Sequence, residues 1–325
     1  MHEWQLNHIQ PLETLLQIHA AADGLEPIFH VHGSFGDVYC QCAAIKEALL
    51  GVKSCCVVID QRYSILAKTA FAGHNVRLVF ADGGFVNQVL TRLNVLGRDH
   101  KLPRRLLPTL YPMVAECIHA GILSYSDFLR LMTGSEVSGC FVPIEADDLL
   151  HQEACHLLSM AGAPIGRSVI VCTDNNSQVE FPEAYWDAIC NHLFSRGWMP
   201  CINDAGTLTK GRTEIVLSKP WPKVTVPPHL PISIVSAAGG FIGGTNGFCT
   251  IQALFNDKSN CVHLINAIHA AGGVIKDKSG TSIKLDRFLH SVTLKNESRG
   301  FLKEIYVFSP ELDDEVKAML DNQFR

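Results

Sequence analysis

A glycine-containing turn that ends in one aspartate is the part of this sequence best suited to chemistry. The apolar run IFHVH leads into the turn GSFGD, which ends at Asp37, and a helical pattern follows at once. Glycine lets a backbone turn sharply and approach a ligand closely, and a carboxylate can take a proton from a hydroxyl group. Asp is also a favoured helix N-cap, so a purely structural role for Asp37 stays open. If Asp37 is a general base, the residues expected to bind its substrate beside it are His32, Gly33, Ser34 and Gly36.

A second glycine-rich turn lies in the other half of the chain. The segment 238–254, AGGFIGGTNGFCTIQAL, carries five glycines within nine residues, and a helical pattern follows them. Backbone N–H groups at such a turn, together with the start of a helix, form an anion site suited to phosphate. A tight strand-to-helix turn that binds nothing has the same composition. The residues predicted to contact a phosphate are Gly243, Gly244, Thr245, Asn246 and Gly247.

A polar loop, TDNNS, follows the apolar run SVIVC and is the third candidate. It lies on the C-terminal side of a predicted strand, where ligands bind in open α/β sheets. Its short side chains either contact a nucleotide or sugar, or cap the helix that follows. The ligand-binding candidates in this loop are Thr173, Asn175 and Ser177. Lys210, Arg212 and Lys219 either offset a diphosphate or belong to a solvated surface.

Several kinds of site are excluded by their missing motifs. The chain has no Walker motif, no Gly-x-Ser-x-Gly elbow and no dinucleotide Gly-x-Gly-x-x-Gly. Its 15 histidines show no metal-ligand spacing, so no metal site is predicted. The 12 cysteines are scattered and form no Cys-x-x-Cys pair. They are expected to be buried thiols in a reducing compartment rather than disulfides or metal ligands.

The composition indicates a large globular protein with two domains. At 325 residues, with 47% hydrophobic and 18% charged residues, the chain can bury a sizeable core. We predict domains at 1–150 and 151–325, joined near 140–165. The net charge of −5 disfavours a nucleic-acid partner. Neither a signal peptide nor an apolar run of membrane-spanning length occurs, so a cytoplasmic location is expected.

Short apolar runs alternate with helical patterns in both halves, which predicts an α/β fold with parallel sheets. In the first half, the predicted strands are 27–32, 55–59 and 76–80, with helices near 38–50, 62–72 and 84–95 and a strand-free helical region at 104–133. In the second half, the predicted strands are SVIVC, WMPCIN, EIVL, GFIGG and CVHLIN. Helices are expected over PEAYWDAICNHLFSRG, 231–238, TNGFCTIQALF and 310–323.

Four segments together resemble the heptosyltransferases of glycosyltransferase family nine. GSFGDVYCQCAAIKEAL is similar to that family's first strand-turn-helix, and SVIVCTDNNSQVEFPEAYWDAICNHLFSRGWMPCIN to the opening of its nucleotide-sugar domain. ISIVSAAGGFIGGTNGFCTIQAL is similar to the segment beneath the donor diphosphate, and Leu-Pro-Ile stands just before it. Two departures leave the donor open between ADP-heptose, a GDP-sugar and others. The turn reads Thr245-Asn246-Gly247 instead of Asp-Ser-Gly, and the first donor loop lacks the usual lysine.

The resemblance implies a GT-B fold, with two Rossmann-like domains and a cleft between them. It implies a glycosyltransferase that moves a sugar from a nucleotide-diphosphate sugar to the hydroxyl group of a glycan or other acceptor. Asp37 would be the base of an inverting reaction that needs no cofactor and no obligatory metal. The alternatives are a sugar-nucleotide epimerase and a non-catalytic binding protein of the same fold. A phage-type DNA-base glycosyltransferase is disfavoured by the charge.

Overall fold

The structure is a computed structural model, and it divides the chain into two compact units. Described residues through Ile144 belong to the first unit, and those from Asp148 onward belong to the second. A division at 150 would cut the helix Asp148–Met160, which lies whole in the second unit. The described residues are 20, 25, 28–31, 33–51, 53–81, 129, 133, 144, 148–174, 179–204, 217–255, 260–271, 274–276, 282–284 and 302–325.

The first unit contains a parallel sheet whose described strands follow the order β1-β2-β3. Its elements are β1 (Ile28–Val31), α1 (Phe35–Ala48), β2 (Cys55–Asp60), a 3₁₀ turn (Gln61–Tyr63), α2 (Ser64–Ala70) and β3 (Val76–Ala81). β1 is wholly buried, and so is β2 except at its last residue. The connections place helices between parallel strands, which is the βαβ arrangement that the alternation predicted.

The second unit is built on a six-stranded sheet in which every pairing is parallel. Its strands are β4 (Ser168–Cys172), β5 (Met199–Asn203), β6 (Lys223–Val224), β7 (Gly240–Gly243), β8 (Asn260–Asn266) and β11 (Leu302–Val307). A separate antiparallel pair is formed by β9 (Val274–Lys276) and β10 (Ser282–Lys284).

The strand order of this sheet, β11-β8-β7-β4-β5-β6, reverses direction beside β4. From β4 the chain proceeds outward through β5 to β6, and it then returns to place β7 on the opposite side of β4. Successive connections therefore leave the shared edge of β4 and β7 in opposite directions. Such a switch point opens a crevice at the carboxyl ends of the two strands. The tertiary structure thus selects one position along the sheet edge for a ligand.

Helices cover this sheet and complete its core. They are α3 (Asp148–Met160), α4 (Glu183–Ser195), α5 (Pro231–Ala238), α6 (Gly247–Phe255) and α7 (Asp314–Gln323). Side chains of α4 and α7, including Trp186 and Leu320, pack with alternate strand residues such as Val171 and Leu264 in one buried cluster. α5 lies against β4 and β7 and contacts α3 and α6.

The predicted α/β class with parallel sheets is confirmed, and most predicted strands fall within a residue or two of the observed ones. Several elements were missed or misplaced. Residues 148–160 form α3, for which no helix was predicted, and β6 was read as part of a proline-rich stretch. Strands β9, β10 and β11 were not predicted either. The last helix begins at Asp314 rather than 310, because Asp313 caps it by accepting a bond from the Val316 N–H. The strand at 214–217 and the helices of 84–95 and 104–133 lie almost wholly outside the described residues.

The described cysteines are thiols within the core rather than bridges. Ten are described, none of these ten is in a disulfide, and all but Cys155 are buried. Burial raises the pKa of the thiols of Cys55, Cys190 and Cys201 to about 12. These side chains therefore behave as small apolar groups. Separately, none of the described helices is long and apolar enough to cross a bilayer.

Candidate active site

Two of the predicted ligand loops meet at the switch point of the second unit. Residues Thr173 and Asp174 follow β4, and Gly244 to Asn246 follow β7, and these two strands are hydrogen-bonded neighbours. The backbone N–H of Gly244 donates to the carbonyl of Cys172 at 3.2 Å, so β7 remains paired with β4 up to the turn. The second and third sequence candidates therefore lie side by side.

The side chain of Asn246 ties the two loops together. Its Nδ2 donates to the carbonyl of Asp174 at 2.9 Å, and its Oδ1 accepts from the N–H of Cys249 at 2.9 Å. The second bond reaches the third residue of α6, which is the N-cap arrangement. Both ends of this amide are thus engaged within the protein. Asn246 therefore fixes the two loops relative to each other, and any ligand would contact the neighbouring residues instead.

Packing accounts for three of the five glycines that motivated the phosphate prediction. A Cβ on Gly239 would lie 2.8 Å from the carbonyl of Gly166, and one on Gly240 would lie 2.7 Å from the ring of Phe324. A Cβ on Gly243 would lie 2.7 Å from the ring of Phe241 and 3.2 Å from Cys172. Close packing and the C-cap of α5 at Gly239 therefore account for most of the glycine count. The case for a ligand depends on the loop geometry instead.

Thr245 heads a chain of polar side chains that crosses three neighbouring elements. Its Oγ1 lies 2.8 Å from Nε2 of His263 on β8, and Nδ1 of His263 lies 3.4 Å from Oε1 of Glu304 on β11. Tyr306 donates its hydroxyl to the other Glu304 oxygen at 3.1 Å. The His263 and Glu304 side chains are only 7% and 4% exposed. We name the first three residues, Thr245, His263 and Glu304, the relay.

Sequence reasoning missed both inner members of the relay. His263 was read as part of the apolar strand CVHLIN, and Glu304 was not considered. A polar residue inside an otherwise apolar run is the signal that was available, because a buried polar group needs a partner. Neighbouring-strand register then brings them together, since Glu304 pairs directly with His263 and His263 with Gly243.

A further polar residue supports the loop after β4 from the end of β8. The Nδ2 of Asn266 donates to the carbonyls of Val179 and Glu180 at 3.1 and 3.3 Å. Its Oδ1 accepts from the N–H of Ile268. The described ends of the polar loop that leaves β4 are therefore fixed by Asn246 on one side and by Asn266 on the other.

The first unit holds Asp37 at the start of α1, as the sequence predicted. The N–H and the hydroxyl of Ser34 both donate to Oδ2 of Asp37, at 3.0 and 2.7 Å. Ser34 is the N-cap, and Asp37 is the third helical residue of a capping box. The structural role left open for Asp37 is therefore present, in a form that differs from a simple N-cap. The capping box orients the half-buried Asp37 carboxylate at the carboxyl end of β1.

Gly33 is required for this arrangement. Its φ is +120°, and a Cβ there would lie 2.8 Å from Cβ and 2.9 Å from Oδ2 of Asp37. Gly36 is buried inside the first turn of α1. Gly33 therefore fits the sequence argument that the backbone turns sharply at this point, whereas Gly36 belongs to the helix.

Asp60 and Arg62 add charge at the end of the adjacent strand β2. Asp60 accepts from the N–H of Arg62 at 2.9 Å and forms an ion pair with its guanidinium at 2.8 Å. Burial raises the pKa of the neighbouring Tyr63; Arg62 opposes this rise, while the carboxylates of Asp60 and Asp37 add to it. The motif DQRY after an apolar strand was the available signal for these residues.

Other predicted residues lie neither at the switch-point loops nor beside Asp37. Lys219 is exposed and lies over the rings of Phe194 and Trp221, 5.6 and 5.3 Å from their centroids, near the end of α4. That is a cation–π contact away from the carboxyl ends of the strands. Five candidates lie outside the described residues: His32, Asn175, Ser177, Lys210 and Arg212. Within the described part of the chain, no group of three or more His, Cys, Asp or Glu side chains is arranged to hold a metal ion.

Comparison with solved structures assigns the fold to the GT-B glycosyltransferases. The chain matches E. coli ADP-heptose LPS heptosyltransferase II with a TM-score of 0.53 at 12% identity, over 92% of this chain and 98% of that one. It matches a glycosyl transferase family 9 protein from Veillonella parvula with a TM-score of 0.52 at 9% identity, over 93% and 97%. The predicted heptosyltransferase-like fold is thereby confirmed.

Sequence comparison alone detects no relationship to these proteins. No protein-family model matches the chain, and a search of curated proteins finds no significant match. At identities of 9% and 12%, what is established is the shared fold. The function must be argued from the residues of this chain.

Proposed function

We propose that this protein is a glycosyltransferase that moves a sugar from a nucleotide-diphosphate sugar to an acceptor hydroxyl group. The observation that carries the proposal is the hydrogen bond from Asn246 to the carbonyl of Asp174, which joins two ligand loops at the switch point. A switch point in a parallel sheet is where nucleotides bind. The GT-B fold supports the same class of reaction.

In this proposal the donor diphosphate binds at the start of α6. The first N–H groups of a helix lack partners within the helix and carry the positive end of its dipole. Gly247 opens α6, and Thr245 offers a hydroxyl one residue before the N-cap. Gly243 and Gly244 shape the turn, since the N–H of Gly244 already donates to Cys172, and Thr173 completes the donor side. The helix N-terminus and the two threonine hydroxyl groups would stabilise the negative charge that develops on the departing diphosphate.

In the first unit, Asp37 is proposed as the general base. As the acceptor oxygen attacks the anomeric carbon, its O–H bond breaks and the proton passes to the Asp37 carboxylate. The bond between that carbon and the diphosphate oxygen breaks, and its electron pair leaves with the nucleoside diphosphate. Ser34 orients the carboxylate for this role. Direct displacement of this kind inverts the anomeric carbon.

The remaining parts of the proposal concern metal and location. Transfer is proposed to need no obligatory metal, because helix amides and hydroxyl groups can take up the diphosphate charge. Activity that persists in EDTA would support this.

A cytoplasmic location is supported by the ten described thiols, since disulfides are rare in reducing compartments. The acceptor is proposed to be a glycan or a similar hydroxyl compound rather than nucleic acid, given the net charge of −5.

The proposal is tested first by nucleotide binding. Thermal-shift measurements would use ADP, GDP, UDP, CDP and dTDP with their sugar conjugates, on the wild type, Gly247→Asp and Gly247→Asn. One nucleotide should stabilise the wild type. The Asp variant should lose that stabilisation through charge repulsion, while its neutral isostere keeps most of it. An Asp at the first helical position favours the helix, so folding is preserved.

Two results would count against this assignment. Stabilisation by none of the ligands would remove the nucleotide-sugar donor altogether. Equal loss in the Asp and Asn variants would mean that charge at the α6 N-terminus is irrelevant. Product formed from a UDP-sugar alone, without an acceptor, would instead identify an epimerase.

A further inference from the structure

The relay contains a buried carboxylate and a buried imidazole that the proposed transfer does not yet use. Taking a carboxylate out of water is costly unless it is paired and hydrogen-bonded. Glu304 meets that cost through Tyr306 and through Nδ1 of His263. With Glu304 beside Nδ1, that nitrogen carries a proton, and the state of Nε2 decides how His263 meets Thr245.

Two arrangements of protons satisfy the contact between Thr245 and His263. When the imidazole is neutral, Nε2 accepts the hydrogen of the Thr245 hydroxyl, which then points into the protein. When the imidazole is protonated, Nε2–H donates to Thr245 Oγ1, and the hydroxyl hydrogen is released to point elsewhere. Only the second arrangement lets the Thr245 hydroxyl donate to an anion in the site.

The loops around the proposed donor site bring no other cationic side chain. Residues 173–178 and 243–248 contain no Lys, Arg or His. His263 is the basic side chain that described contacts connect to these loops. The Glu304 carboxyl group lies on its far side, with Oε1 3.4 Å from Nδ1 of His263.

We propose that His263 takes up a proton when the donor diphosphate binds, and that the imidazolium, held by Glu304, turns the Thr245 hydroxyl toward the diphosphate. This inference rests on the proposed function, because the anion is the diphosphate of a nucleotide sugar. His263 is a positioning residue, since it acts through Thr245. The charge it gains sits one side chain away from the leaving group.

Besides Asp174, whose carbonyl Asn246 holds, the titratable groups near the relay lie on the sheet and on α6. They are Tyr306 on β11, Cys261 on β8, Cys172 on β4 and Cys249 on α6. Burial raises the pKa of Cys261 and of Cys249, and Cys172 and Glu304 add to the rise at Cys249, so both stay neutral thiols. Cys249 is further held by a bond from Sγ to the carbonyl of Gly244 at 2.8 Å.

The test is isothermal titration calorimetry of the nucleotide sugar that the binding panel selects. Titrations at pH 7.5 in Tris and in HEPES, whose ionisation enthalpies differ, give the number of protons taken up on binding. The diphosphate of a nucleotide sugar is fully ionised at this pH, so it contributes no proton of its own. We expect the wild type to take up as much as ~1 proton per ligand.

Variants assign that proton to the relay. His263→Gln should abolish the uptake and weaken binding by about 10-fold, which corresponds to losing one charge-assisted hydrogen bond. Thr245→Val, an isosteric change that removes the hydroxyl, should also abolish the proton uptake on binding. Thr245→Ser should retain that uptake. Circular dichroism melts establish that each variant is folded, and the Thr245 pair keeps the test valid if His263→Gln does not fold.

Each outcome separates this inference from the function on which it rests. Binding to the wild type without proton uptake, or uptake that persists in Thr245→Val, would overturn the relay while leaving the glycosyltransferase proposal intact. Binding of no nucleotide sugar at all would overturn both.

Discussion

The side-chain amide of Asn246 donates to the backbone carbonyl of Asp174 at 2.9 Å, and this bond joins the ends of two strands that are 72 residues apart in sequence. The same side chain caps α6. One residue therefore sets both the spacing of the two donor loops and the start of the helix whose N-terminus faces them. The proposed donor site depends on that double role.

Asn246→Ala should lower both stability and nucleotide affinity. Loss of the cap alone costs about 1–2 kcal/mol in the free energy of unfolding, which urea denaturation would measure. Asn246→Ser is the matched control, because its neutral hydroxyl can still cap α6 but is too short to reach Asp174. It should keep most of the stability and still bind nucleotide more weakly. Unchanged nucleotide affinity in both variants would contradict the role of the hydrogen bond between Asn246 and Asp174.

Asp37→Asn should reduce release of nucleoside diphosphate from the selected nucleotide sugar by ~10²-fold or more. The amide oxygen can still accept from Ser34, so the start of α1 should persist. Donor affinity should be largely unchanged, because the donor is proposed to bind in the other unit. Coupled assays of turnover and calorimetry of binding check the two parts. Unchanged turnover would remove Asp37 from the role of base.

Gly33→Ala should destabilise the protein more than a substitution at an ordinary left-handed glycine. The new Cβ would lie 2.8 Å from Cβ of Asp37, so either the turn or the carboxylate must move. Gly73→Ala is the control, since Gly73 also has a positive φ, of +78°, but has no atom within 4 Å of a new Cβ. We expect about 1–3 kcal/mol of additional loss at Gly33, from overpacking, with reduced turnover. Equal losses at both glycines would contradict the close approach.

The free energy of unfolding should fall as the pH rises above 9. Burial raises the pKa of Cys201 to about 12 from an ordinary value of 9.0, so the folded state keeps its proton while the unfolded state releases it. Stability from this group is complete below pH 9 and is lost progressively up to about pH 12. Urea denaturation in reductant at pH 7.5, 9 and 10 would measure the slope.

Cys201→Ala assigns part of that slope to one thiol. Each fully linked proton contributes ~1.4 kcal/mol per pH unit, and the variant should lose as much as this amount of slope. Cys55 and Cys190, with the same direction and size of pKa shift, should maintain the rest. A slope identical to that of the wild type would mean that the Cys201 thiol is accessible to water in the folded state.

Local pattern predicted most of the described secondary structure. Apolar runs such as SVIVC, bounded by polar or glycine-rich turns, gave strands β1 to β5, β7 and β8 nearly residue for residue. α3 was missed because its segment lies within the predicted boundary region of 140–165, and β9, β10 and β11 were not predicted. β6 was missed because it is two residues long and lies in a proline-rich stretch, which leaves no period to detect.

The sequence by itself determined the parallel α/β class, the two strand-turn-helix motifs and the position of Asp37. These depend on periodicity and on glycine and capping chemistry, which act between residues close together in the chain. Only the tertiary structure placed β7 beside β4, and with it Asn246 against Asp174 and His263 between Thr245 and Glu304. Strand order is fixed by burial over the whole sheet, so contacts between distant strands leave no local signal in the residues that make them.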